Sequence, residues 1–157
     1  MKPLSTVVII LVYIVLHQIG CGVTGDAAYS TTVGTATATD IRNTVPRILS
    51  KYQYQIARVE ESSDQIYVQT QWNNRTPFED EYDAGVKNAR TRIIIEARPR
   101  TRVGTILNTV RFTAENMVLF DLEGDWENRS LSQEGERYIR AIVNDLKADL
   151  DMGVRTF

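Results

Sequence analysis

The two side chains with the widest chemical use in this chain are a single cysteine, Cys21, and a single histidine, His17. A cysteine and a histidine that met in space could form a nucleophile–base pair, and either could bind a transition metal. Both residues lie just after an apolar run, residues 4–16, which follows Lys2. This pattern is typical of a secretory signal peptide, and the run is shorter than the roughly 20 residues that span a bilayer.

The residues at 18–21, Gln-Ile-Gly-Cys, resemble the bacterial lipobox, in which a signal peptidase cuts before a cysteine that receives lipid. The glycine and the cysteine match the motif, whereas Gln18 stands where an aliphatic residue is usual. The resemblance implies a signal peptide over 1–20 and acylation of Cys21 with palmitate-type chains. Because Cys21 is followed by Gly22 rather than by an aspartate, the resemblance also implies an outer-membrane anchor facing the periplasm. The alternative is a secreted protein with an incidental cysteine, but an unpaired thiol is a liability in an oxidising compartment.

Cleavage before Cys21 would leave residues 21–157, a length that suits one domain with a hydrophobic core. The cut would remove His17 and the lipid would occupy the thiol. Histidine-based triads, cysteine nucleophiles and the usual zinc ligand sets would then be lost. The chain has no glycine-rich phosphate loop, and its net charge of −2 gives no reason to expect nucleic acid. We therefore predict a non-enzymatic protein without cofactor or metal, although hydrolysis by paired carboxylates stays open.

The strongest surface signal is a basic cluster between residues 87 and 111, in which Glu96 is the one acidic residue. Arginines at even spacing would share one face of an unbroken strand, but Pro99 predicts a break in that strand. The cluster predicts an anionic partner: a lipid headgroup, a lipopolysaccharide phosphate or an acidic protein surface. The alternative is a solvated sheet face that pairs with the acidic loops. The candidate partner-binding or anion-binding residues are Arg92, Arg98, Arg100, Arg102 and Arg111.

Two aromatic residues in polar stretches, Phe78 and Trp126, are further candidates for contact with a partner. Trp72 ends an alternating run and is predicted instead to pack in the core with the inward residues of that strand. Acidic residues gather at 79–83 and 121–125, but neither spacing matches a calcium-binding loop. No metal site is therefore predicted.

Small residues dominate the segment after the cysteine, and they predict a flexible tether over 21–39. An edge strand near 29–33 is the alternative, because threonine and valine favour strands. Apolar residues at helical spacing then predict a helix over 40–52. This helix is expected either to begin near Asn43 or to be kinked at Pro46, since proline breaks a helix interior.

The remaining sequence predicts four strands and a final helix. Alternating apolar residues and turn signals place the strands at residues 52–61, 66–72, 92–98 and 107–114. The last strand is expected to continue past a bulge near Asn116, and a loop is predicted over 73–91. An apolar stripe predicts the final helix, with Ser130 or Ser132 as its cap and Gly153 as its stop.

These elements predict an α+β fold in one domain over 40–157. It is a two-layer sandwich of a four-stranded, mainly antiparallel sheet with an N-terminal and a C-terminal helix packed on it. Together with the Thr-Gln-Trp segment at 70–72, the pattern resembles the domains of BamC lipoproteins of the outer-membrane β-barrel assembly machinery. The resemblance implies a non-catalytic accessory of outer-membrane assembly or maintenance, with the membrane and an envelope protein complex as partners. A periplasmic carrier of a lipid or other ligand and a carboxylate-dependent cell-wall hydrolase are the alternatives.

Overall fold

The computed structural model describes residues 28–102 and 105–154. The predicted signal peptide at 1–20, the lipidation site Cys21 and the first part of the predicted tether lie outside the described residues. The fold is α+β, as predicted, but the antiparallel sheet has seven strands rather than four. In chain order the elements are β1 (Tyr29–Ala36), α1 (Ala38–Lys51), β2 (Ile56–Glu61), β3 (Ile66–Thr70), β4 (Asn73–Arg75), α2 (Glu79–Asp83), β5 (Asn88–Arg102), β6 (Thr105–Leu119), β7 (Glu127–Asn128) and α3 (Gln133–Val154).

The centre of the sheet is the pair β5 and β6, two strands of 15 residues each. They pair in one register without a shift over their whole length, so the predicted break at Pro99 and the predicted bulge near Asn116 are both wrong. Pro99 is tolerated because β3 pairs with β5 only as far as Ala97, which leaves β5 with an open edge beyond that residue. Asn116 pairs with Thr91 in the ladder, and Arg75 donates a hydrogen bond to its buried side chain.

The main sheet has the strand order β1-β6-β5-β3-β2, and every pairing is antiparallel. The hairpin of β2 and β3 was predicted, although β2 begins at Ile56 rather than at residue 52. The predicted loop over 73–91 is wrong, because it contains β4, α2 and the start of β5. β4 pairs with residues 89–91 of β5, and this pairing gives its polar backbone regular hydrogen bonds.

The predicted tether is also wrong for residues 29–36, because the alternative of an edge strand near 29–33 is confirmed: these residues form β1 beside β6. Val33 and Ala36 are 2% and 0% exposed, so this threonine-rich segment contributes to the core. Helix α3 packs across β1, and Lys147 donates to the backbone oxygen of Val33 at 3.4 Å. The small side chains therefore allow a helix to lie close to an edge strand.

Both long helices pack on one face of the sheet and join a single large core cluster. The side chain of Thr37 caps α1 by accepting from the backbone N–H of Asp40 at 3.1 Å, so the helix begins well before Asn43. Pro46 lies inside α1 on its exposed side. Ser132 caps α3, as predicted, while the helix runs on past the predicted stop to Val154. The largest fully buried side chains are Phe112, Ile41, Leu49, Ile93, Ile95, Ile139, Ile142, Leu146 and Leu150.

The end of α1 has a strained residue where glycine is usual. Gln53 has φ 63°, and the backbone N–H groups of Gln53 and Tyr54 donate to the oxygens of Ser50 and Leu49. This pattern closes a helix with a left-handed residue, a conformation that glycine adopts without strain. We expect Gln53→Gly to raise the free energy of unfolding by about 1 kcal/mol in urea denaturation. An unchanged or lower unfolding free energy would contradict this account of the helix end.

Candidate functional site

The sheet has one face that the helices leave uncovered, and we call it the open face. Because side chains alternate along a strand, it carries the even-numbered residues of β5 and the odd-numbered residues of β6. The odd-numbered residues of β5 from Ala89 to Ala97 and the even-numbered residues of β6 from Asn108 to Val118 are buried on the other face. All five predicted anion-binding arginines thus occupy open-face positions by register, although nothing is described of the side chain of Arg102.

Two of these arginines line a concave site that we call the arginine groove. It has a volume of about 250 Å³ and is lined by Thr32, Glu96, Arg98, Thr109 and Arg111. The three strands β1, β6 and β5 bring these residues together, and Glu96 stands opposite Arg111 in the register. Among the described residues, no carboxylate oxygen lies within 4.0 Å of either guanidinium. The groove therefore carries net positive charge, although Glu96 lies within it and Arg98 also lowers the pKa of nearby Asp64; neither guanidinium forms an ion pair within the described residues.

Arg92 lies on the same face but is already paired. Its Nε donates to Glu115 at 2.7 Å, and Glu115 is its direct cross-strand partner. Arg100 is exposed beyond the groove and does not line it. The structure thus brings Arg98 and Arg111 together and separates Arg92 from them as a neutralised pair.

A stack of alternating guanidinium and indole groups covers the other end of the open face, and we call it the cation–π ladder. The Cζ of Arg92 lies 4.6 Å and that of Arg90 4.9 Å from the ring centroid of Trp72. Arg90 also lies 4.2 Å from the centroid of Trp126. The prediction that Trp72 packs in the core is wrong, because β3 ends at Thr70 and the chain then crosses to the open face. Contacts of this kind stabilise by about 0.5–2 kcal/mol each and orient the indoles.

Phe78, the second predicted aromatic contact, takes part in the helix side of the molecule instead. Its ring lies 4.2 Å from the Cζ of Arg75 and 5.9 Å from the ring centroid of Tyr138 on α3. Trp126 stacks on the open face, so the structure does not bring these two aromatic residues together. Phe78 therefore has a packing partner and is only half-exposed.

Sequence reasoning missed a buried polar cluster beneath Phe78. Arg75 donates to both oxygens of Glu81 at 2.6 and 2.7 Å, and their side chains are 13% and 5% exposed. Arg75 also donates to Thr91 and to Asn116, which is fully buried. The signal that could have found it is Asn116 itself, since a polar residue in the inward register of a strand needs a polar partner.

The acidic residues of the β2–β3 turn have partners of their own. A hydrogen bond from Arg42 holds the pKa of Glu61 below its usual value, and one from Ser62 does the same for Asp64. Burial raises the pKa of Tyr54 on the helix side.

Within 28–102 and 105–154, no group of three or more histidine, cysteine or acidic side chains could hold a metal ion. The carboxylates with lowered pKa values are poor candidates for a general acid at neutral pH.

Comparison with known proteins leaves the family of this chain open. No family model and no curated protein matches it. A solved structure of a putative uncharacterised protein from Bacillus thuringiensis is similar with a TM-score of 0.30 and 11% identity, over 81% of this chain and 97% of that chain. A similarity this low carries no argument about function. In the described part of the chain, no helix is both long and apolar enough to cross a membrane.

Proposed function

We propose that this protein is a lipid-anchored, non-catalytic interaction module of the bacterial envelope that serves outer-membrane assembly or maintenance. On this proposal the arginine groove binds the phosphate of an envelope lipid headgroup. The observation that carries the proposal is the pair Arg98 and Arg111 on an uncovered sheet face, where neither guanidinium forms an ion pair with a carboxylate of the described residues. The predicted signal peptide and Cys21 support a location in the bacterial envelope.

The shape of the groove favours a single compact anion over a broad acidic protein surface. A volume of about 250 Å³ lies just below the range of about 300–1,000 Å³ that is typical of small-ligand pockets. Guanidinium groups present forked donors that match the oxygens of phosphate, and Thr32 and Thr109 add hydroxyl groups beside them. These donors support a phosphate group as the occupant.

The short distance in sequence between Cys21 and β1 supports a ligand at the membrane surface. β1 begins at Tyr29, eight residues after Cys21, and eight residues reach at most about 28 Å when extended. β1 contributes Thr32 to the groove itself. A lipid anchor at Cys21 would therefore hold the groove close to headgroups.

The experiment that tests phosphate binding is calorimetric titration of glycerol phosphate into the full-length protein in uncharged detergent. We expect saturable heat that weakens as salt is added, because exposed charges are screened. Methyl phosphate and glycerol are the positive and negative controls for the phosphate group. A flat titration with glycerol phosphate and methyl phosphate would contradict the proposal.

The anchor is tested by Cys21→Ser in cells. We expect the wild-type protein to fractionate with membranes until detergent is added, and Cys21→Ser to appear in the soluble fraction. The reason is that each buried methylene of an acyl chain contributes about 0.8 kcal/mol to membrane binding. Gly22→Asp is the matched control, since it keeps the cysteine and should stay membrane-bound. A Cys21→Ser protein that remains tightly bound would refute the lipid anchor.

A further inference from the structure

We infer that a second cleft, at the rim of the sheet, is a binding site for an uncharged sugar. This amide cleft has a volume of about 280 Å³ and is lined by Gln53, Gln55, Gln71, Trp72, Asn73 and Asn74. It shares no residue with the arginine groove, so the inference is independent of phosphate binding.

The lining residues come from two connections that meet in space. One is the link between α1 and β2, and the other is the link between β3 and β4 together with the first two residues of β4, Asn73 and Asn74. The backbone N–H of Gln71 donates to the backbone oxygen of Gln55 at 2.8 Å and fixes the two links together. The cleft is therefore part of the folded framework, although its residues lie in two separate stretches of sequence.

The chemistry of the lining favours hydroxyl groups over ions. Five of the six residues carry amide side chains, and none carries a charge. Among the described residues, none of these five amides has a side-chain hydrogen bond to another group of the protein. Each amide offers both donors and an acceptor, which suits the hydroxyls of a sugar because each hydroxyl also donates and accepts.

Trp72 supplies the apolar part of such a site. It is half-buried, and the cation–π contacts with Arg90 and Arg92 fix its orientation. An indole held in place before binding loses little conformational entropy when a ligand arrives. The C–H groups of a sugar would contact the part of the indole that borders the cleft and that the two guanidiniums leave uncovered, while its hydroxyls meet the amides.

Gln53 gives a second, independent reason to assign binding to this cleft. It occupies the left-handed position at the end of α1 with φ 63°, where glycine would be unstrained. Strained side-chain-bearing residues of this kind concentrate at functional sites. Position 53 therefore has a glutamine, whose amide lines the cleft, instead of the glycine that would best suit this backbone conformation.

The test uses the full-length protein in uncharged detergent with maltotetraose and tetra-N-acetylchitotetraose as probes. Saturation-transfer NMR and calorimetry should detect saturable binding in the millimolar range or tighter to at least one of them. The monosaccharides glucose and N-acetylglucosamine should bind more weakly, if the site takes a segment of a longer glycan. Equal affinities for the monosaccharide and the tetrasaccharide would indicate that the site binds a free sugar.

Two variants separate loss of binding from loss of folding. Gln55→Ala/Asn74→Ala removes two exposed amides and should weaken binding about tenfold. Gln53→Gly should weaken binding roughly fivefold while the midpoint of thermal unfolding rises. Asn144→Ala, an exposed amide on α3, is the matched control and should bind as the wild type does. No saturable binding of either tetrasaccharide, or unchanged affinity in both cleft variants, would overturn the assignment.

Discussion

Replacing Glu81 with alanine is expected to lower the free energy of unfolding by about 3–5 kcal/mol, because it leaves the guanidinium of Arg75 buried without its carboxylate. The same guanidinium also donates to Thr91 and Asn116, so it cannot turn to solvent without breaking those bonds. Urea denaturation followed by circular dichroism measures the loss. The expected change is a large fraction of the 5–15 kcal/mol that holds a typical domain folded.

Two controls isolate the buried pair from a general effect of removing an acidic residue. Glu61 forms an exposed ion pair with Arg42, and Glu61→Ala should leave the unfolding transition close to that of the wild type. The double variant Arg75→Met/Glu81→Leu should recover part of the lost stability, because it removes both charges together but leaves Thr91 and Asn116 without the guanidinium donor. A Glu81→Ala protein as stable as Glu61→Ala would show that the pair is not buried in solution.

The variant Arg98→Gln/Arg111→Gln is expected to weaken the binding of glycerol phosphate about 100-fold. Each guanidinium can form charge-assisted hydrogen bonds with the phosphate, and each such bond contributes about 1.5–3 kcal/mol. Neither arginine has an ion pair among the described residues, so the variant should fold with wild-type stability. Calorimetric titration measures the affinity, and thermal unfolding checks the fold.

The matched control for this prediction is Arg137→Gln/Arg140→Gln. It removes the same number of positive charges from the exposed side of α3, where each arginine pairs with a glutamate of its own helix. The control should bind glycerol phosphate nearly as the wild type does. Equal losses of affinity in the two double variants would mean that net charge, rather than the arginine groove, attracts the phosphate.

The secondary structure could be predicted where large apolar residues recur at the spacing of a helix or of a strand. The stripe of α3 and its Ser132 cap were both visible in the sequence, and so was the β2–β3 hairpin. β1 was predicted only as the alternative to a tether, because its composition is mostly small and polar and only Val33 and Ala36 are buried. The full length of β5 was missed because Pro99 normally ends a strand, and the open edge that tolerates it depends on where β3 stops.

The candidate sites could be predicted less well, since they depend on strand register. Arg98 and Arg111 were identified by charge, but the arginine groove needs the pairing of β6 with both β1 and β5. The same register places Glu115 opposite Arg92 and neutralises it. The amide cleft was missed because it forms only when the β2–β3 hairpin brings residues 53–55 beside residues 71–74, although the density of glutamine and asparagine over 53–74 was a usable signal.

The most direct test of the arginine groove is nitrogen-edited NMR of the arginine side chains in the full-length protein during titration with glycerol phosphate. The proposed function predicts that the Nε–H signals of Arg98 and Arg111 shift together and saturate, because both would donate to one phosphate. The signals of Arg137 and Arg140 on α3 should stay in place. Equal shifts of all four arginine signals, or unchanged signals of Arg98 and Arg111, would contradict a phosphate site in the arginine groove.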